Sequence, residues 1–111
     1  MLHEMKLQPN PFASIKKGTK DIEMRLNDEK RRQVRVQDQI EFTNTETNER
    51  LSAVVVARHE YLTFDELYAV FEKTRLGYET GEIANSKDMA RYYSEEEILK
   101  YGVVGLEIQL L

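Results

Sequence analysis

The sequence predicts an α+β fold: a small, mostly antiparallel sheet curled into a barrel, with short helices packed at its ends or edge. Three observations point there. Five short segments carry period-two alternation or a β-branched run, turn signals recur between them, and helical periodicity is confined to brief stretches. The regular strand and helix alternation that βαβ units require is missing.

His3 to Leu7 alternates, with Met5 and Leu7 on one side and Glu4 and Lys6 on the other, which reads as a half-buried strand that Pro9 ends. Asn10 is placed to cap a helix with Pro11 at its first position and Phe12 and Ile15 on one face. Gly18 supplies its left-handed stop, and Lys16 and Lys17 lie in the last turn, where the helix dipole favours cations. From Lys20 to Leu26 the period becomes two: Ile22, Met24 and Leu26 point one way, and Asp21, Glu23 and Arg25 the other, as a strand with outward-alternating charges. Asn27 to Arg32 is polar and turn-like, with a short helical turn in prospect. Val34 to Phe42 reads as a strand around a Gln37-Asp38 turn signal.

Thr43 to Arg50 has no aliphatic residue and is expected to be a hairpin tip. Leu51 to Arg58, rich in Val54, Val55 and Val56, is expected to be a central strand. Thr63 opens the clearest helix: Glu66 completes a capping box, and Phe64, Leu67, Tyr68 and Phe71 follow helical spacing. Thr74 to Tyr93 contains Gly77 and Gly81 and little periodicity, so it reads as a long loop able to fold over a site. Ser94 with Glu97 forms a second capping box, Gly102 ends that helix, and Val103 to Leu111 closes the chain as a strand with Leu106, Ile108 and Leu110 on one face.

The chain has 111 residues, the size of one domain with one core, and no linker or repeat divides it. The absence of cysteine excludes disulfide frameworks, thiolate zinc sites and cysteine nucleophiles, and fits a reducing cytoplasm. No apolar run is long enough to span a membrane. Met1 to Lys6 lacks the features of a secretory signal, so the mature protein is expected to be the whole chain. The net charge of −4 divides into +2 for residues 1–59 and −6 for residues 60–111. Any binding to phosphate must therefore use a local patch in the first half, drawn from Lys16, Lys17 and Lys20 or from Lys30, Arg31, Arg32 and Arg35. Solvated surface charge is the competing reading of the same residues.

The segment Gly18-Thr19-Lys20-Asp21-Ile22-Glu23-Met24-Arg25 is the most informative. Glu23 and Arg25 share a strand face with Lys20 at the strand's mouth. A carboxylate flanked by cations is held ionised while the cations keep donors for a phosphate or a base edge. A surface ion-pair ladder would look the same. His3 and His59 lack a second ligand at helical spacing, so no metal site and no cofactor are expected. Tyr61, Tyr78, Tyr92 and Tyr93 are candidate stacking platforms for bases near the long loop, or core-boundary residues.

The pattern Gly-x-Lys-x-x-Glu-x-Arg, after a Pro-bounded strand and a short helix with Phe12 and Ile15, resembles the signature of the ASCH domain, the activating-signal-cointegrator homology domain. Gln37 to Phe42 resembles that family's turn into its next strand, and Tyr92 to Ile108 its closing helix and strand, so the resemblance covers essentially the whole chain. It implies a PUA-like barrel that binds RNA or a modified nucleoside in a cleft where Lys20, Glu23 and Arg25 converge. Lys16 and Lys17 are then expected near the rim and Tyr92 beside the ligand. A branch of the family is similar to amidohydrolases of N4-acetylcytidine that use a Lys and a Thr of this motif with a more distant Glu. This sequence keeps Lys20 and has Glu23 in the place of the hydroxyl; Lys20 and Glu23 are the catalytic candidates on that reading. A protein-interaction module is the third alternative. Lys20→Ala is expected to weaken binding with little loss of stability, and Glu23→Gln to leave the fold intact.

Overall fold

The computed structural model describes residues 1–111. Its five strands are β1 (Leu2–Leu7), β2 (Ile22–Leu26), β3 (Gln39–Asn44), β4 (Arg50–Tyr61) and β5 (Val103–Leu110). They form one curled sheet in the order β1-β3-β4-β5-β2. The β1–β3 pair is parallel and the other three are antiparallel, so the sheet is mostly antiparallel as expected. The valine-rich run falls in the central strand, where β-branched side chains meet neighbours on both sides. A register shift between Val55 and Ala57 inserts a bulge into the long strand β4, which bends it and helps the sheet curl.

Four short helices join the strands: α1 (Pro9–Lys17), α2 (Glu29–Arg32), α3 (Phe64–Val70) and α4 (Glu95–Tyr101). α1 begins two residues earlier than the sequence suggests, because Gln8 and not Asn10 is its N-cap, without a side-chain bond. Pro9 and Pro11 then both occupy first-turn positions whose N–H groups have no helical partner to lose. Gly18 closes α1 at φ +90°, donating to the carbonyls of Ile15 and Ser14. Ser94 and Glu97 form the expected reciprocal box at α4. At α3 only half of the predicted box is present: Thr63 accepts from the Glu66 N–H.

Two connecting segments differ from expectation. Val34 to Gln37 is not part of a strand: Val34 is buried, Val36 is exposed, and Gln37 takes φ +79°, so β3 starts at Gln39. The turn is held by Asp38, whose carboxylate accepts from the Arg35 N–H at 3.0 Å, from the N-terminal amine at 3.1 Å, and lies 2.8 Å from His3 Nε2. Thr74 to Tyr93 is not a structureless loop either. It carries a 3-10 helix over Ser86–Arg91 and inserts Leu76 and Met89 into an apolar cluster.

That cluster decides what β2 does. The main core lies inside the curl, where Met5, Leu7, Phe12, Ile15, Ile40, Phe42, Val55, Val104, Leu106 and Ile108 pack together. A second core on the outer side joins Ile22, Met24, Phe64, Leu67, Leu76, Met89 and Val103. Residues paired across an antiparallel ladder share a face. Glu23 pairs with Leu106 and Arg25 with Val104, so these two charged side chains stand on the concave, main-core side. The expected outward orientation of Glu23 and Arg25 is thus reversed: the apolar face of β2 packs under α3 and under residues 72–93, which form a cover over it, and the charged face lines the seam of the curled sheet.

Candidate functional site

β1 and β2 are the two edges of the sheet, and the seam between them is where the charged segment lies. Arg25 bridges it: Nη2 donates to the Lys6 carbonyl of β1 at 3.0 Å, while Nε donates to Glu23 Oε2 at 2.8 Å. Lys20 Nζ sits 3.3 Å from the other carboxylate oxygen, Glu23 Oε1. The lysine also donates to the Ile22 carbonyl at 2.6 Å and the Leu76 carbonyl at 3.0 Å. Glu23 therefore spans two cations with its two oxygens, and Lys20 and Glu23 are only 4% and 5% exposed.

Burial alone would raise the Glu23 carboxyl, but Arg25 and Lys20 outweigh it and hold its pKa below the ordinary carboxylate range. Burial pulls the Lys20 ammonium below the ordinary lysine value, with the Glu23 carboxylate opposing. With Lys20, Glu23 and Arg25 ionised, the triplet carries one uncompensated positive charge.

The triplet forms one wall of a cleft of about 430 Å³. The start of α1 contributes Asn10 and Pro11, β1 contributes Lys6 and Leu7, and the opposite wall comes from the 72–93 cover. Gly77 passes over the Lys20 stem at φ +108°, where a Cβ would stand 3.0 Å from Lys20 Cδ. The aromatic lining is Tyr68, Tyr78, Tyr92 and Tyr93. Tyr78 donates to Asp88 Oδ2 at 2.7 Å and lies 2.9 Å from the Tyr68 hydroxyl. Burial and that bond push the Tyr68 phenol up. Tyr93 stacks on Phe64 at 15° between planes, whereas Tyr92 is 49% exposed.

Of the residues singled out in the sequence, Lys20, Glu23, Arg25, Tyr78, Tyr92 and Tyr93 meet in this cleft. Lys16 and Lys17 do not line it; Lys16 pairs with Glu49 instead. Tyr61 packs on the second core. Arg31 pairs with Asp28, and Arg32 donates to the Tyr101 carbonyl, both away from the cleft. His3 is bound to Asp38 and His59 to Glu107 at 2.9 Å, each as a link between elements. Sequence reasoning missed Tyr68, which looked like core on its helix face, and the Leu76–Gly77 turn, whose only signal was a glycine in a polar stretch.

The family model of the ASCH domain matches residues 5–111. The crystal structure of hypothetical protein PH0355 is similar at 33% identity and a TM-score of 0.84, covering 100% of both chains. The solution structure of protein PF0455 from Pyrococcus furiosus is similar at 36% identity and 0.78, covering 100% of this chain and 98% of the other. The crystal structure of ASCH from Zymomonas mobilis shares the fold at 13% identity and 0.67, covering 97% of this chain and 66% of that one. No curated protein matches the sequence.

Proposed function

The chain belongs to the ASCH domain family, and from that premise we propose that it binds RNA or a nucleoside-sized ligand in the cleft at the β1–β2 seam. The observation that carries this reading is the buried Lys20–Glu23–Arg25 triplet, with its net positive charge, in the wall of a cleft whose other side offers an exposed aromatic ring. A concave site with a few converging polar groups and aromatic lining is how small ligands and splayed bases are held. Tyr92 supplies the stacking face, since its ring is the most solvent-accessible of the four that line the cleft.

The test is titration of a short single-stranded RNA at two salt concentrations, beside single nucleosides, with Tyr92→Ala for comparison. Loss of one base stack should cost about 1–3 kcal/mol, or roughly 5- to 150-fold in affinity. RNA binding should weaken as salt rises. Absence of binding to every RNA and nucleoside tested would overturn the reading.

A second reading, hydrolysis of a modified nucleoside such as N4-acetylcytidine, draws on the burial of Lys20 and its lowered pKa. A lysine base needs a free lone pair, and Lys20 Nζ faces three oxygens, the acceptor set of an ammonium. Binding is therefore placed first. Turnover of N4-acetylcytidine that disappears in Lys20→Ala would reverse the order.

A further inference from the structure

The donors of the three motif residues are unequally committed. An ammonium has three N–H bonds, and Lys20 Nζ has three oxygens within reach: Ile22 O at 2.6 Å, Leu76 O at 3.0 Å and Glu23 Oε1 at 3.3 Å. None is left for a ligand. Both oxygens of Glu23 are likewise engaged, one by each cation. A guanidinium has five N–H bonds, and Arg25 commits one from Nε to Glu23 and one from Nη2 to Lys6 O. The Tyr93 hydroxyl is a further neighbour of the guanidinium, which leaves at least two N–H bonds on the member of the triplet that faces the seam.

The Leu76 carbonyl comes from the cover, far along the chain from Lys20. It belongs to a set of ties between the cover and β2. The Arg75 carbonyl accepts from the Asp21 and Ile22 N–H groups, and the Arg75 guanidinium clasps the Asp21 carboxylate at 2.8 and 3.1 Å. Gly77 can lie against the Lys20 stem because it has no Cβ. Lys20 is thus enclosed by the segment it fastens. Around the cleft mouth, Asp88 accepts from Tyr78 and Glu82 from the Glu79 N–H, whereas Lys6 and Arg91 form no ion pair. Each acid has one oxygen bonded within the cover and keeps its charge, so Lys6 and Arg91 balance Glu82 and Asp88, and the surplus in the cleft is the positive charge of the triplet.

We propose that the motif divides its labour: Lys20 is a positioning residue that latches the 72–93 cover onto β2, and Arg25, aided by Lys6 and Arg91 at the mouth, takes an anionic oxygen of the ligand, of the phosphate class. The inference deepens the cleft reading above, yet its test needs neither RNA nor a nucleoside, so either can fail alone.

The test is a heteronuclear magnetic-resonance titration of the ligand-free protein with inorganic phosphate at neutral pH, alongside amide exchange of Lys20→Met. Lys20 should give an ammonium signal with slowly exchanging protons. Phosphate should move the Arg25 Nε–H signal and leave the Lys20 signal in place. A neutral Lys20 amine, a fast-exchanging one, a phosphate shift at Lys20, or no shift at Arg25 would overturn the proposal. In Lys20→Met the amides of Leu76, Gly77 and Tyr78, all hydrogen-bonded within the cover, should exchange about tenfold faster or more, as for the loss of one hydrogen bond to a charged group. The amides of β4 and β5 should keep their rates. Equal acceleration everywhere, or none at the cover, would refute the latch. Should Lys20→Met not fold, the wild-type titration decides by itself.

Discussion

Replacing Glu23 by glutamine removes one charge and almost no volume, so its consequence isolates the electrostatics of the seam. In the native protein the carboxylate lies 3.3 Å from Lys20 Nζ and 2.8 Å from Arg25 Nε, with 5% of the residue exposed. A glutamine amide offers one oxygen to one cation and turns an NH2 toward the other, leaving two neighbouring cations with no anion between them. Removing one partner of a buried ion pair costs about 3–5 kcal/mol, because the remaining charge is stranded out of water. Unfolding entropy of about 2.1 cal/mol/K per residue converts this, for a chain of this size, to a fall in Tm of about 13–21 °C. Thermal unfolding of Glu23→Gln followed by circular dichroism at neutral pH is the assay. A Tm within about 4 °C of the native protein would refute the reasoning, since the carboxylate would then not be what reconciles Lys20 with Arg25. The same burial sets this outcome against the expectation that Glu23→Gln would leave the fold intact.

Asp38 should make the protein acid-sensitive. The bond with His3 comes first among the causes that hold its carboxyl well below the ordinary range, followed by the Arg35 N–H, so its contribution is present above about pH 4 and is lost as pH falls through the native value. Asp38→Asn should therefore lower Tm at pH 6 and converge with the native protein toward pH 2; a constant difference across that range would exclude this role. Gly102 takes φ +73°, and a Cβ there would meet the Tyr61 carbonyl at 2.9 Å. Gly102→Ala should cost about 2–4 kcal/mol, or about 9–17 °C in Tm, and a loss under about 1 kcal/mol would show that the β4–α3 turn yields easily.

Much of the architecture was legible because its signals are local. Ser94 and Glu97 cap each other three residues apart, Gly18 stops α1 by adopting a conformation other residues avoid, and alternation in Leu106 and Ile108 marks the inner face of β5. Each depends on neighbours a few positions away. The Val34–Val36 alternation misled because Gln37 and Asp38 build a turn whose partners, His3 and the N-terminal amine, lie at the start of the chain.

Period two in residues 20–26 told which side chains share a face, and the motif told that Lys20, Glu23 and Arg25 belong together. Neither could tell what each face meets. In a one-layered sheet the apolar face of β2 would have been the core and the charged face the surface; here both faces are covered. The cover brings Leu76 and Met89 onto Ile22 and Met24, while closure of the curl turns Glu23 and Arg25 toward β1. Those contacts join residues distant in the chain, and their geometry follows from the twist and bulge of the whole sheet. The sequence by itself determined the strands, the caps and the grouping of the motif. Only the tertiary structure decided that its charges are buried, that Lys20 has no donor to spare, and that Arg25 faces the cleft, because burial and hydrogen-bond saturation are properties of what surrounds a side chain.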